Sequence, residues 1–205
     1  MEITFIFSLI VLIMSVVIHE VAHGYTAELL GDLTARLQGR LTLNPIKHLD
    51  MVGSIIVPII TYISGGVIFG WAKPVPFNPY NLKNQKWGEG LVALAGPLSN
   101  LCIALFFSLI IRFFGISGLL PQSFLEISVL IIITNISLAV FNLVPISPLD
   151  GSRILFSLIP YRFDYIKNWL ERYSLALVLI LLFFLWQFIV PIIPWLFRIF
   201  TGIGF

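Results

Sequence analysis

The sequence predicts an α-helical multi-span membrane protein, with about four to five transmembrane helices, a re-entrant segment and a small membrane-associated β-element. Three observations predict it. Of the 205 residues, 59% are hydrophobic and only 11% charged, and mean hydropathy is +1.01, which leaves too little polar surface for a soluble domain. Apolar runs of about 20 residues, the length of one helical crossing, recur along the chain. Between them lie Gly-rich and Pro-rich stretches that a helix does not tolerate.

The first apolar run, Ile3 to Ile18, continues through His19-Glu20-Val21-Ala22-His23 to Leu29-Leu30 and meets a glycine stop at Gly31-Asp32. It opens on Met1-Glu2, with no basic leader and no small-residue cleavage site, so it is expected to be retained. Thr34 to Leu43 alternates polar and apolar around Gly39, the pattern of a short hairpin. Met51 to Ile63 is apolar, and Gly65-Gly66 follows. The segment Gly70-Trp71-Ala72-Lys73-Pro74-Val75-Pro76-Phe77-Asn78-Pro79 is too rich in proline for a helix and reads as an extended edge. Gly90–Phe114, Phe124–Val144 and Ser174–Val190 are three further spans, and the tail around Trp195-Leu196-Phe197-Arg198 reads as interfacial. The whole chain, 1–205, reads as one domain, with a core at 1–160 and a C-terminal helix and tail at 161–205.

Charge orients this layout. Ten of the 12 Lys and Arg fall in three segments: Arg36, Arg40 and Lys47; Lys73, Lys83 and Lys86; Arg153, Arg162, Lys167 and Arg172. By the positive-inside rule these segments face the cytoplasm. An even number of crossings must then separate them. Gly90–Phe114 and Phe124–Val144 supply two, so Met51–Ile63 must enter and return. Irregular backbone at membrane depth is tolerated only against protein or a water-filled cavity, so the strand from Gly70 to Val75 should line a cavity.

Several function classes fall away. A net charge of +2 with no basic cluster is no nucleic-acid footprint. With Cys102 the only cysteine, intrachain disulfides and Cys-type zinc sites are excluded. The partners expected are the lipid bilayer and other membrane proteins, and the sequence leaves the oligomeric state open.

His19-Glu20-Val21-Ala22-His23 is an H-E-x-x-H motif. Four residues apart on a helix, both imidazoles can reach one metal while Glu20 sits beside them. A hydrolytic zinc site wants a third protein ligand and an open position for water. Ionisable residues within apolar segments are functional candidates by default, and Asp150, read as ending the apolar helix on the cytoplasmic side, is the outstanding one. The bland readings are that Asp150-Gly151 is a turn pair and that Asn142 and Asn100 only bridge helices. His48 has no partner at ligand spacing and reads as interfacial.

Three separated signatures carry a resemblance: His19-Glu20-Val21-Ala22-His23, Gly96-Pro97-Leu98-Ser99-Asn100, and Asn142-Leu143-Val144-Pro145-Ile146-Ser147-Pro148-Leu149-Asp150-Gly151. Together they resemble the site-2 proteases, intramembrane zinc metalloproteases, over about residues 5 to 160. The resemblance implies one Zn2+ per chain held by His19, His23 and Asp150, with Glu20 as general base and Asn142 and Asn100 supporting the site or the substrate. It implies membrane protein substrates, expected to be single-span proteins of a prokaryotic cell membrane. An unwound substrate helix needs a strand edge to pair with, for which Gly70, Trp71, Ala72 and Lys73 are the candidate. The Lys/Arg distribution sets the site near the cytoplasmic face. This chain looks like the compact branch without a PDZ domain. The water that hydrolysis needs must enter by a polar channel, for which Gly24-Tyr25, Gly65-Gly66, Lys73 and Asn142 are candidates. The alternatives are an inactive membrane scaffold, which has no use for Glu20, and a metal transporter or oxygenase, which needs more than three histidines.

Overall fold

The first apolar run forms one helix, α1 (Glu2–Leu29), in the computed structural model, which describes residues 2–57, 60, 72–115 and 120–203. It ends where the glycine signal predicts. Gly31 takes φ 109° and the Asp32 amide returns to the Ala27 carbonyl at 2.9 Å, which pairs one of the last helical acceptors.

The stretch Thr34–Leu43, expected as a hairpin, opens instead with a helical turn, α2 (Thr34–Leu37). Asp32 Oδ1 accepts from the Thr34 hydroxyl at 2.6 Å and from its amide at 3.2 Å. That side-chain turn starts helical geometry, and Ala35 is buried where a strand would expose it every second residue. A 3-10 turn follows at Pro45–His48, capped by Asn44. His48, expected at the membrane interface, is buried within the protein, with Nε2 2.8 Å from the Thr42 carbonyl. A π-type turn occupies Val52–Ile56. Most of the expected re-entrant return, with Gly65-Gly66, Gly70 and Trp71, lies outside the described residues. Residues 72–78 join no helix and no ladder, and the described residues contain no β-strand, so the β-element is not found among them.

Helix α3 (Gln85–Phe114) starts before the predicted Gly90, because Asn84 Oδ1 accepts from the Lys86 and Trp87 amides at 3.1 and 3.0 Å. Helix α4 (Gln122–Asn142) follows Pro121. Asp150, read as closing this apolar helix, instead opens the next, α5 (Asp150–Leu158). Pro145 and Pro148 cannot continue α4, and an acidic residue is favoured in a first turn. Then come α6 (Asp164–Arg172), α7 (Ser174–Ile189) with a π-type turn at Leu181–Leu185, and α8 (Ile192–Thr201), closed by Gly202 at φ 74°.

Three described helices are long and apolar enough to cross a membrane: Ile6–Leu29, Gln85–Phe114 and Gln122–Asn142. The run Ser174–Ile189 qualifies only together with α6, from which it bends by 69°. The described residues therefore hold three or four such spans, against the four to five expected. Helix α3 is the hub on which α1, α4, α5 and α8 pack. Ala104 and Ile111 of α3, Ile132, Ile136 and Val140 of α4, and Phe197 of α8 form the core. In lipid such contacts stabilise through close packing, which small residues such as Ala104 permit.

Candidate metal centre

Helix periodicity sets His19 and His23 one turn apart on the buried face of α1, ring centroids 4.6 Å apart and planes at 87°. The first turn of α5 brings Asp150 to them. Its Oδ2 lies 3.0 Å from His19 Nε2 and 3.3 Å from His23 Nε2. Ligand atoms of the three residues lie within 4.8 Å of one another, the one such group among the described residues. Gly151 makes this possible, since a Cβ there would overlap the Leu143 and Val144 carbonyls at the end of α4.

Spacing and donor chemistry both fit zinc. A tetrahedral ion with bonds of about 2.0–2.1 Å sets its ligand atoms about 3.3 Å apart, and two imidazoles with one carboxylate leave a fourth position open. Both rings are aimed from behind. His23 Nδ1 lies 2.7 Å from the Val92 carbonyl, which can only accept, so Nδ1 carries a proton and Nε2 is the nitrogen turned to Asp150 and the metal position. His19 Nδ1 lies 2.6 Å from Asn100 Oδ1, and Asn100 is fully buried. Gly96 lets α3 come this close: a Cβ there would stand 2.5 Å from His19 Nε2 and from His23 Nε2.

Glu20 stands beside the group without joining it, and its Oε2 accepts the Val75 amide at 2.7 Å. A cavity of about 300 Å³ opens over these residues, lined further by Pro74 to Phe77, Asn142, Pro148 and Arg153. Asn142 thus reaches the cavity, while its Nδ2 donates to the Leu138 carbonyl of its own helix at 3.0 Å. Asn100 sits behind His19, away from the lining. Of the candidate channel residues only Asn142 lines the cavity; Lys73 is exposed, and Gly65-Gly66 lie outside the described residues. Gly70 and Trp71 lie outside them as well, and Ala72 is half-buried.

The Pro-rich segment is held in place by residues that the sequence did not mark. Arg40, 7% exposed, donates from Nη2 to the carbonyls of Lys73 at 2.9 Å and Pro74 at 3.3 Å. The Lys73 amide donates to the His48 carbonyl at 2.9 Å. Arg40 counted only as a cytoplasmic charge, and no spacing rule singles it out. At the far end, the Asp32 carboxylate accepts from the Asn78 amide and from Asn81 Nδ2, each at 2.8 Å, as well as from Thr34. Burial pushes the Asp32 carboxyl up, but the hydrogen bonds from Thr34, Asn81 and Asn78 together outweigh it and hold the group below its ordinary range.

Peptidase family M50 matches this chain at residues 117–185. YwhC of Bacillus subtilis, provisionally named a zinc metalloprotease, is 41% identical over 180 residues, 84% of this chain and 78% of its own. Rip2 of Mycolicibacterium smegmatis, provisionally named in the same way, is 31% identical over 146 residues, 68% of this chain and 52% of its own. Zinc metalloprotease MJ0392 of Methanocaldococcus jannaschii is 28% identical over 159 residues, 78% of this chain and 36% of its own. No solved structure matches the chain.

Proposed function

The chain belongs to peptidase family M50, and from that premise we propose an intramembrane zinc metalloprotease in which His19, His23 and Asp150 hold one zinc ion and Glu20 is the general base. The observation that carries the ligand assignment is the convergence of His19 Nε2, His23 Nε2 and Asp150 Oδ2 to 3.0 and 3.3 Å at the floor of a cavity. When bound, zinc acidifies a water and polarises a carbonyl. Glu20 takes the proton of the attacking water and delivers it to the leaving nitrogen. The Val75 amide fixes the direction in which that carboxylate points. Asn142, on the cavity wall, contacts the substrate backbone.

Substrates are single-span membrane proteins. A peptide bond within a helix has its carbonyl tied to an amide four residues on, so the substrate must unwind before it can be cut. Unwinding in lipid leaves backbone groups unpaired, at several kcal/mol each. The segment from Ala72 to Val75 provides an edge that pairs with them; Gly70 and Trp71, the other residues expected in this docking segment, lie outside the described residues. Lys73 and Val75, each followed by a proline, are steered to extended backbone. Their amides already bond to His48 and Glu20, so positions 72, 74 and 76 face the other way. Pro74 and Pro76 have no N–H, and the Pro74 carbonyl already accepts from Arg40, so this edge offers chiefly the carbonyls of Ala72 and Pro76 and the unwound substrate supplies the amides. Crosslinks from substrate to positions 72–75 test the docking edge, and their absence during active cleavage rules it out.

The protein is integral to the membrane, and its spans form a multi-pass arrangement with the site toward the cytoplasmic face of a prokaryotic cell. The distribution of Lys and Arg and the organisms of the relatives support that orientation and source. The test of the activity is cleavage of a single-span substrate by purified, zinc-loaded protein. Wild type should cut and Glu20→Gln should not, with equal zinc in both. Equal cleavage by Glu20→Gln removes the base assignment.

A further inference from the structure

Behind His19, on the side away from the cavity, three helices meet at a set of polar side chains that nothing in the reaction above uses. Asn100 of α3 and Asn135 of α4 are fully buried, and Ser15 of α1 is 4% exposed. Asn100 Nδ2 lies 2.8 Å from Asn135 Oδ1, and Asn135 Nδ2 lies 2.9 Å both from Ser15 Oγ and from the Ile131 carbonyl. Polar groups so deep among apolar helices are costly unless each is paired in the correct sense.

The sense of this chain of bonds follows from its far end. The Ile131 carbonyl can only accept, so the amide nitrogen of Asn135 must face it, and the oxygen of Asn135 must face Asn100. Asn100 must answer with its nitrogen, which turns its own oxygen to His19. An oxygen at 2.6 Å from Nδ1 requires the proton on Nδ1. Nε2 is then the ring nitrogen left to face Asp150, 3.0 Å from its Oδ2, and to take the metal. His23 obtains the same tautomer from one backbone carbonyl, that of Val92; His19 obtains it through two asparagines. Asn100 has a second acceptor in the Ser15 carbonyl, but at 3.4 Å that bond is the longer and weaker of the two.

We propose that Asn135 is a positioning residue of the metal centre: through Asn100 it fixes His19 in the tautomer and orientation that leave Nε2 free for the metal. The inference rests on the zinc reading above. Outer partners of metal-bound histidines carry about 10- to 100-fold in metal affinity, and Asn135 holds a share of that although it touches neither zinc nor substrate.

The experiment is zinc affinity of the purified full chain, by competition with a chelator, alongside the melting temperature of the zinc-free protein. Asn135→Leu keeps the branched side-chain skeleton and removes all three bonds; Asn135→Ala serves if the leucine variant does not fold. Ile132→Ala, in the packed core of the same helix and outside the hydrogen-bonded set, is the control for lost packing. The Asn135 variants should bind zinc about 10- to 100-fold more weakly than wild type. Ile132→Ala should melt lower and keep its zinc affinity. Wild-type affinity in the Asn135 variants overturns the proposal, and so does a loss that Ile132→Ala reproduces at equal melting temperature. A separate result, stoichiometric zinc in Asp150→Ala, would remove the ligand assignment and leave the hydrogen-bonded chain without a metal to serve.

Discussion

The backbone amide of Val75 donates to Glu20 Oε2 across 2.7 Å. One bond thus ties the proposed base on α1 to the Pro-rich segment 55 residues away in sequence. Val75→Pro removes that donor from a position already flanked by Pro74 and Pro76. General-base catalysis contributes about 10²- to 10⁴-fold, and a base left in place without its orienting bond should lose only a fraction of that. Cleavage should fall about tenfold with zinc content unchanged. Full activity would show that Glu20 is aimed by something else.

Gly96 is the point at which α3 touches the candidate ligands. Its substitution by alanine places a methyl group 2.5 Å from both His19 Nε2 and His23 Nε2, well inside contact distance. Gly96→Ala should lose bound zinc, by metal analysis, while the helical content seen by circular dichroism stays. Stoichiometric zinc in that variant would mean that α3 can back away from α1 without cost.

Asp32 predicts an acid limit to stability. Its carboxyl is held below the ordinary value of 3.8 in the folded chain, so the folded state binds this proton less readily than the unfolded one. The stabilisation is therefore present above pH 3.8 and is lost as pH falls through the lowered value. Melting temperature in detergent should decline below about pH 4, and Asp32→Asn should flatten part of that decline while starting lower. An identical acid profile for the two proteins contradicts the role given to Asp32.

Orientation is testable with single cysteines. Cys102 is exposed, so the background is Cys102→Ala. Positions 36 and 155 should label from the cytoplasmic side and position 120 from the other. Labelling of 120 and 155 from one side would overturn the proposed topology and the even crossing number behind it.

How much was legible in the sequence follows the range of the forces involved. Helix α1, its glycine stop and the two spans α3 and α4 are set by local periodicity and by long apolar runs, and were readable to within a turn except at the start of α3, which Asn84 caps and which falls at Gln85, five residues before Gly90. The hairpin at Thr34–Leu43 was misread because alternation over ten residues does not distinguish a strand from a turn initiated by one aspartate, Asp32. Asp150 was picked out for the right chemical reason, a carboxylate beside apolar sequence, yet it begins a helix where it was read as ending one. The buried partners Arg40, His48 and Asn135 were missed as such. Each makes its contact through distant backbone or through another side chain, and a sequence read in one dimension has no signal for that.

The central claim is that His19, His23 and Asp150 bind the metal and that Glu20 does not. Zinc content per purified chain tests it most directly, measured on wild type, Glu20→Gln and Asp150→Ala after dialysis against trace zinc. The account predicts full, stoichiometric zinc in wild type and in Glu20→Gln, and none retained by Asp150→Ala. Stoichiometric zinc in Asp150→Ala, or its loss from Glu20→Gln, would contradict it.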